Sequence, residues 1–346
     1  MTTTISGHND GGSVIWQGFD YGWQGEPHRI SRFDSHLDSF ALQSDGKVHA
    51  RYLTAFGVGN VDDVGDAFTY VASVKAMPFH FIYGYTSQTL AAEQGTPTAV
   101  DGERVSVVLP EGLGAGVVAT PLLRGFGITS ANFEPGFHTR GFGVELNDPR
   151  LEGNSLSFVP RFFVHAEQSP DPLTQGIFSK APQDYRYTMT ANFTIVAAPA
   201  SAAYITVAPS PAPTVVARYQ GPGTPQEVNA LMLGQRDGAF SRAVIGVRGF
   251  RWQLKPWSPT NHDGRYLRRL QCFVSNHGYN PETGTATFIA HLWFTNQGAV
   301  PYGFDAEHLL WTTLVQFNDN RPVLTTALRQ VVDTSQTVEA VQDFAL

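Results

Sequence analysis

Three loops place a histidine just ahead of an arginine: His28-Arg29, His138-Thr139-Arg140 and His262-Asp263-Gly264-Arg265. An imidazole and a planar guanidinium on one loop can hydrogen-bond a sugar hydroxyl or clamp a carboxylate. The same two side chains can instead hold the loop itself, the imidazole on a carbonyl and the arginine on a carboxylate of its own unit. Aromatic residues gather near two of these loops, with Trp16, Tyr21 and Trp23 before the first and Trp252 and Trp257 before the third. An exposed indole offers an apolar platform to a sugar ring, and an enclosed one serves packing. The second loop has only Phe133 nearby. The candidate ligand-binding set is therefore Trp23, His28, Arg29, His138, Arg140, Trp252, Trp257, His262 and Arg265.

Other chemistry is thinly represented. The chain lacks the phosphate-loop, nucleophile-elbow and His-Glu-x-x-His patterns, and it has no calcium-loop spacing. Cys272, its single cysteine, rules out an intrachain disulfide framework and a multi-cysteine zinc site, and is expected as a small buried strand residue. His80 and His291 stand among apolar neighbours, as core or interface histidines do. Asp62-Asp63 and Asn318-Asp319-Asn320 read as solvated turns, so no metal and no cofactor is expected. A glycosidase needs two suitably spaced carboxylates, and nothing selects a pair from the 30 acidic residues. The expectation is a protein that is not an enzyme.

The loops recur because the elements around them recur. An apolar run ending in Gly-Phe precedes each: Gly18-Phe19, Gly125-Phe126 and Gly249-Phe250. The glycine lies 10, 13 and 13 residues ahead of the loop histidine. After the loop come a strand-like run, a turn (Asp45-Gly46, Gly153-Asn154, Thr283-Gly284), and a strand carrying a basic residue before two large apolar ones. That basic residue is Arg51, Arg161 or His291. A closing run rich in β-branched and aromatic residues ends each unit, at 68–74, 187–196 and 309–315. Three copies of one β unit are thus expected, beginning near residues 13, 119 and 242.

Composition agrees with an all-β chain: charged residues are only 15%, while 34 glycines and 22 prolines interrupt 346 residues. A net charge of −7 without a basic block removes the counterion-release drive for nucleic-acid binding. No basic segment followed by an apolar run opens the chain, and no apolar stretch reaches ~18 residues, so synthesis in the cytoplasm without a signal peptide and no transmembrane helix are expected. Residues 225–233 are expected as a short helix. Leu324, Leu328, Val331, Val332, Val338 and Val341 follow a helical spacing, which predicts a C-terminal amphipathic helix.

The expected architecture is all-β: antiparallel β-sandwich modules at 1–102, 103–200 and 201–323, then the helix at 324–346. The strand order carried by 265–274, 288–295 and 311–315 is broadly similar to the six-stranded sandwich of H-type lectins, and that resemblance brings no specific ligand motif. Rigid surfaces with several sheet edges point to a non-enzymatic structural or assembly subunit, a homo-oligomer or larger assembly such as a particle, filament or phage-like tail component. The alternative is a multivalent carbohydrate-binding protein with a glycan partner.

Overall fold

A computed structural model describes residues 1–9, 13–23, 30–42, 47–58, 67–77, 80–92, 95–111, 113, 116–130, 137–168, 185–207, 212–220, 226–236, 238–255, 269–295, 305–318, 325–333 and 338–345. Its regular elements are all strands. A leading strand β1 (Thr2–Asn9) precedes the first unit, which supplies β2 (Ser13–Trp23), β3 (Ile30–Leu42), β4 (Lys47–Val58) and β5 (Ala67–Met77). The connecting strands β6 (His80–Ala92), β7 (Thr98–Asp101) and β8 (Val105–Val108) lead into the second unit. That unit comprises β9 (Val117–Ser130), β10 (Phe137–Glu152), β11 (Ser155–Gln168) and β12 (Tyr185–Pro199). Then come β13 (Ala203–Val207), β14 (Val215–Gln220) and β15 (Gln226–Leu233). The third unit is β16 (Arg242–Leu254), β17 (Arg269–Asn280), β18 (Thr285–Thr295) and β19 (Asp305–Phe317), and β20 (Thr325–Asp333) and β21 (Val338–Ala345) end the chain.

Pairing follows one rule three times. Within a unit the first strand pairs with the fourth (β2–β5, β9–β12, β16–β19) and the second with the third (β3–β4, β10–β11, β17–β18), all antiparallel. The second strand then pairs with the first strand of another unit: β3 with β9, β10 with β16, and β17 back with β2. These joining ladders share one register, since Phe126, Phe250 and Phe19 face Ser35, Val144 and Cys272. Each sheet therefore takes two strands from one unit and two from another. The connecting and terminal strands extend the sheets to seven (β1-β6-β12-β9-β3-β4-β21), eight (β13-β19-β16-β10-β11-β7, with β14 on β19 and β8 on β11) and six strands (β15-β18-β17-β2-β5-β20).

The Gly-Phe pairs explain why the ring closes. Phe19, Phe126 and Phe250 come from three different sheets and touch one another, with ring centroids 5.1, 5.4 and 4.8 Å apart. Trp16, Phe33 and Phe142 complete a common aromatic core. Offset and edge-on ring contacts of this kind add to the hydrophobic gain from burial. The glycine before each phenylalanine lets a neighbouring strand approach: a Cβ at Gly18 would strike the backbone of Cys272 and Phe273, and one at Gly125 the backbone of Ser35 and His36. Just ahead of each glycine the first strand bulges, at Gln17, Arg124 and Arg248, and all three of these polar residues are buried. Gln17 donates to the Ile245 carbonyl (2.8 Å) and Arg248 to the Leu146 carbonyl (3.0 Å).

Several expectations change. The units do not form separate sandwiches bounded at 102, 200 and 323, because the ladders that build every sheet cross those borders. The C-terminal helix is replaced by β20 on β5 and β21 on β4, extending two sheets. Residues 226–233 form β15 on β18 rather than a helix, with exposure alternating along the strand. In each case a neighbouring strand offers a hydrogen-bond ladder that an isolated short helix lacks. Arg51, Arg161 and His291 do lie on the corresponding strands β4, β11 and β18. A bulge between Leu37 and Ser39 offsets the first, so that Leu53, not Arg51, occupies the place opposite His36 that matches Arg161 and His291.

Candidate functional site

Of the residues singled out from the sequence, His28, Arg29, Trp257, His262 and Arg265 lie outside the described residues, and Trp23 and His138 are described only by their backbone, on β2 and β10. Arg140 is fully buried at a bulge of β10, where its Nη2 donates to the Lys255 carbonyl (2.5 Å). Lys255 is itself tied to Asp305 through its backbone N–H and its ammonium, so Arg140 fastens the end of β16. Trp252 is only 2% exposed, stacked on Phe294 at 4.7 Å with Phe142 against its edge. It belongs to the core and has no face free for a sugar, which corrects its expected role as a platform.

A polar surface among the described residues lies elsewhere, on the outward face of the eight-stranded sheet. Two cross-strand rows build it. The first runs Asp101, Arg161, Glu145, Gly249, Trp311, and the second Ala99, Phe163, Gly143, Arg251, Leu309. Glycines occupy the middle of both rows because the strands leave no room for a side chain there. A Cβ at Gly143 would come within 2.7 Å of the Arg251 Cα, and one at Gly249 within 2.8 Å of the Glu145 side chain. Larger residues flank the two glycines, and with Pro213 from the segment before β14 they enclose a recess of about 170 Å³.

Its charges are unevenly satisfied. Arg161 grips Asp101 through two hydrogen bonds (2.7 and 3.2 Å). Arg251 lies over the Phe163 ring at 4.2 Å and donates through Nη2 to the Gln253 amide oxygen (2.8 Å). Glu145 is 4% exposed, and burial pushes its carboxyl up to about 7, with the Arg248 guanidinium at 3.9 Å and a hydrogen bond from Asn147 only partly opposing that rise. Among the residues lining the recess, two buried side-chain atoms have no hydrogen-bond partner, Glu145 Oε1 and Arg251 Nε, and the same holds for other buried polar atoms elsewhere in the described residues. Leaving such groups unpaired is costly. Sequence reasoning passed over Glu145, whose one signal is an acidic residue set in the alternating run Gly141-Phe142-Gly143-Val144-Glu145-Leu146.

The corresponding places on the other two sheets hold different residues. His36 and Phe273 stand where Glu145 does, opposite Gly125 and Gly18. On the six-stranded sheet the His291 ring stacks on Phe273 (4.3 Å) and shares a hydrogen bond with the Ser275 hydroxyl (2.9 Å), while Glu227 lies 3.6 Å from Nδ1. That order of groups is the order of a hydrolytic triad, but at 3.6 Å Glu227 stands beyond hydrogen-bond reach of the imidazole Nδ1. We read it as a cross-strand tie.

Among the described residues no group of three or more His, Cys, Asp and Glu is arranged to hold a metal ion. Cys272 is buried in β17, which raises its thiol pKa and keeps it protonated. No described helix is long and apolar enough to cross a membrane. Compared with known proteins, the chain matches no family model, no curated protein and no solved structure.

Proposed function

We propose that the chain is a non-enzymatic structural subunit that assembles with its neighbours through sheet edges, as a component of a particle, a filament or a phage-like tail. The observation that carries this reading is the placement of exposed apolar side chains. Of nine large apolar residues exposed among the described residues, six lie on outermost strands: Ile5 on β1, Val108 on β8, Tyr204 on β13, Val216 on β14, and Leu231 and Leu233 on β15. An outermost strand carries a row of unpaired backbone groups, which soluble proteins commonly blunt with lysine or proline. Neither appears in β15, whose only charge is Glu227. Such an edge suits addition of a strand from another chain.

Size-exclusion chromatography with light scattering tests the reading. Species larger than a monomer that grow with concentration are expected, and a monomer across the micromolar range would overturn it. The alternative, a multivalent glycan-binding chain, requires like sites in each unit. Trp252 is enclosed and the three outward faces differ at the matched positions, so that reading gains no support here.

A further inference from the structure

Strand β15 is open in a way that selects its partner. At the end of the β15–β18 ladder, whose register runs unshifted from Gln226 to Leu233, the Gly234 N–H donates to the Gly284 carbonyl (2.9 Å). Alternation along an antiparallel ladder then turns the even-numbered residues toward β18 and the odd-numbered ones away from it. Gln235 obeys the same parity, since the Gln316 side chain, and not β18, accepts from its N–H (2.7 Å) and donates to its carbonyl (3.1 Å). Glu227, Asn229, Leu231 and Leu233 therefore aim their N–H and C=O groups at the free edge. Strand β15 ends its sheet there, and the nearby β14 is laddered to β19 instead. All four residues are exposed.

Granting assembly through sheet edges, we propose that the occupant of this edge is β15 of a second copy, paired antiparallel about a two-fold axis at Ala230. Centred there, the register sets Glu227 against Leu233 and Asn229 against Leu231, and every open residue of both copies bonds. Moving the centre to Leu231 sets Glu227 against Gln235, whose backbone groups Gln316 already holds. Moving it to Asn229 sets Leu233 against Pro225, which has no N–H. Charge fits the same register. Glu227, the only charge on β15, lies six residues along from its own copy, ~20 Å away, and points toward the other copy's exposed Arg236, just past Leu233. These matches at both ends are what a second copy supplies. The two six-stranded sheets become one continuous sheet. A contact of this kind closes on itself, so growth beyond a dimer uses a different edge.

Single cysteines read the register, with the natural chain and its buried Cys272 as background in non-reducing electrophoresis. Residue 230 faces its own copy at a non-hydrogen-bonded position, where Cα atoms lie ~4.5 Å apart, inside the disulfide range. Ala230→Cys should therefore oxidise to a linked dimer. Asn229→Cys and Leu231→Cys do not face their own copies and should not link, although Leu231 is more exposed than the half-buried Ala230. Asn229→Pro removes an N–H aimed at the copy and none aimed at β18. Added to Ala230→Cys, it should slow linkage about tenfold at an unchanged thermal midpoint of the reduced protein. Light scattering on the natural chain separates the two levels of the account. If that chain associates but Ala230→Cys fails to link, links no faster than Leu231→Cys, or links undiminished by Asn229→Pro, this pairing is overturned and assembly through another edge stands. A natural chain that stays monomeric overturns both.

Discussion

A methyl group added at Gly125 would have to occupy space already filled by the backbone of Ser35 and His36, on a residue whose φ is 146°. Gly125→Ala should therefore cost at least ~3 kcal/mol, because β9 and β3 must separate before the side chain fits. Gly238 is the control: its φ is also positive, but nothing lies within 4 Å of an added Cβ, so Gly238→Ala should cost only ~1 kcal/mol. Urea unfolding of the two variants makes the comparison. Glu145 supplies a second prediction at this scale. Its carboxyl binds a proton more tightly folded, at about 7, than at its ordinary 4.5, so its contribution to stability is full below about pH 4.5 and is lost as pH rises through about 7. The loss is on the order of 3 kcal/mol. His308 runs the other way, since burial lowers its imidazole from 6.5 to about 3 and the stability tied to its neutral form falls with acidification across that range. The difference in urea midpoint between Glu145→Gln and the natural chain isolates the first group: the variant should gain relative stability between about pH 5 and pH 8, and a constant difference would refute the assignment.

Strands were legible where their signals are local. The turns at Gly153-Asn154 and Thr283-Gly284 do end β10 and precede β18, and both glycines take the positive φ such turns use. The C-terminal stretch misled because apolar residues three and four apart fit a helix, while β20 and β21 are each under ten residues and are decided by the strands they meet. The outward recess was not legible at all. Asp101, Glu145, Arg161, Gly249 and Trp311 become one row only through four successive ladders, and no spacing along the chain encodes that. For the same reason the Gly-Phe pairs could be seen to repeat but not to meet. The edge strands yield their own prediction. Replacing Leu231 and Leu233 with lysine puts charge on an exposed edge and should shift the assembly equilibrium toward monomer, since both side chains are outside the core. An unchanged light-scattering mass would move the contact away from β15.

For the whole molecule, the ladder between β17 and β2 joins the third unit to the first. It brings together residues about 250 apart in sequence, and Arg269 fastens it with two hydrogen bonds to Asp20 (2.9 and 2.6 Å). Non-local closure of this kind makes slow folding the expectation, because much chain must be ordered before the contacts form. It also couples the units, since releasing any one exposes the aromatic core shared by all three. This interlock, rather than three modules on a string, is what gives the edges and the recess a rigid frame. Native-state hydrogen exchange at the backbone amides of Phe19, Phe126 and Phe250 tests it most directly. The three should exchange with one opening free energy, equal to that of global unfolding. Three separate values, or one phenylalanine exchanging while the others stay protected, would contradict a common core.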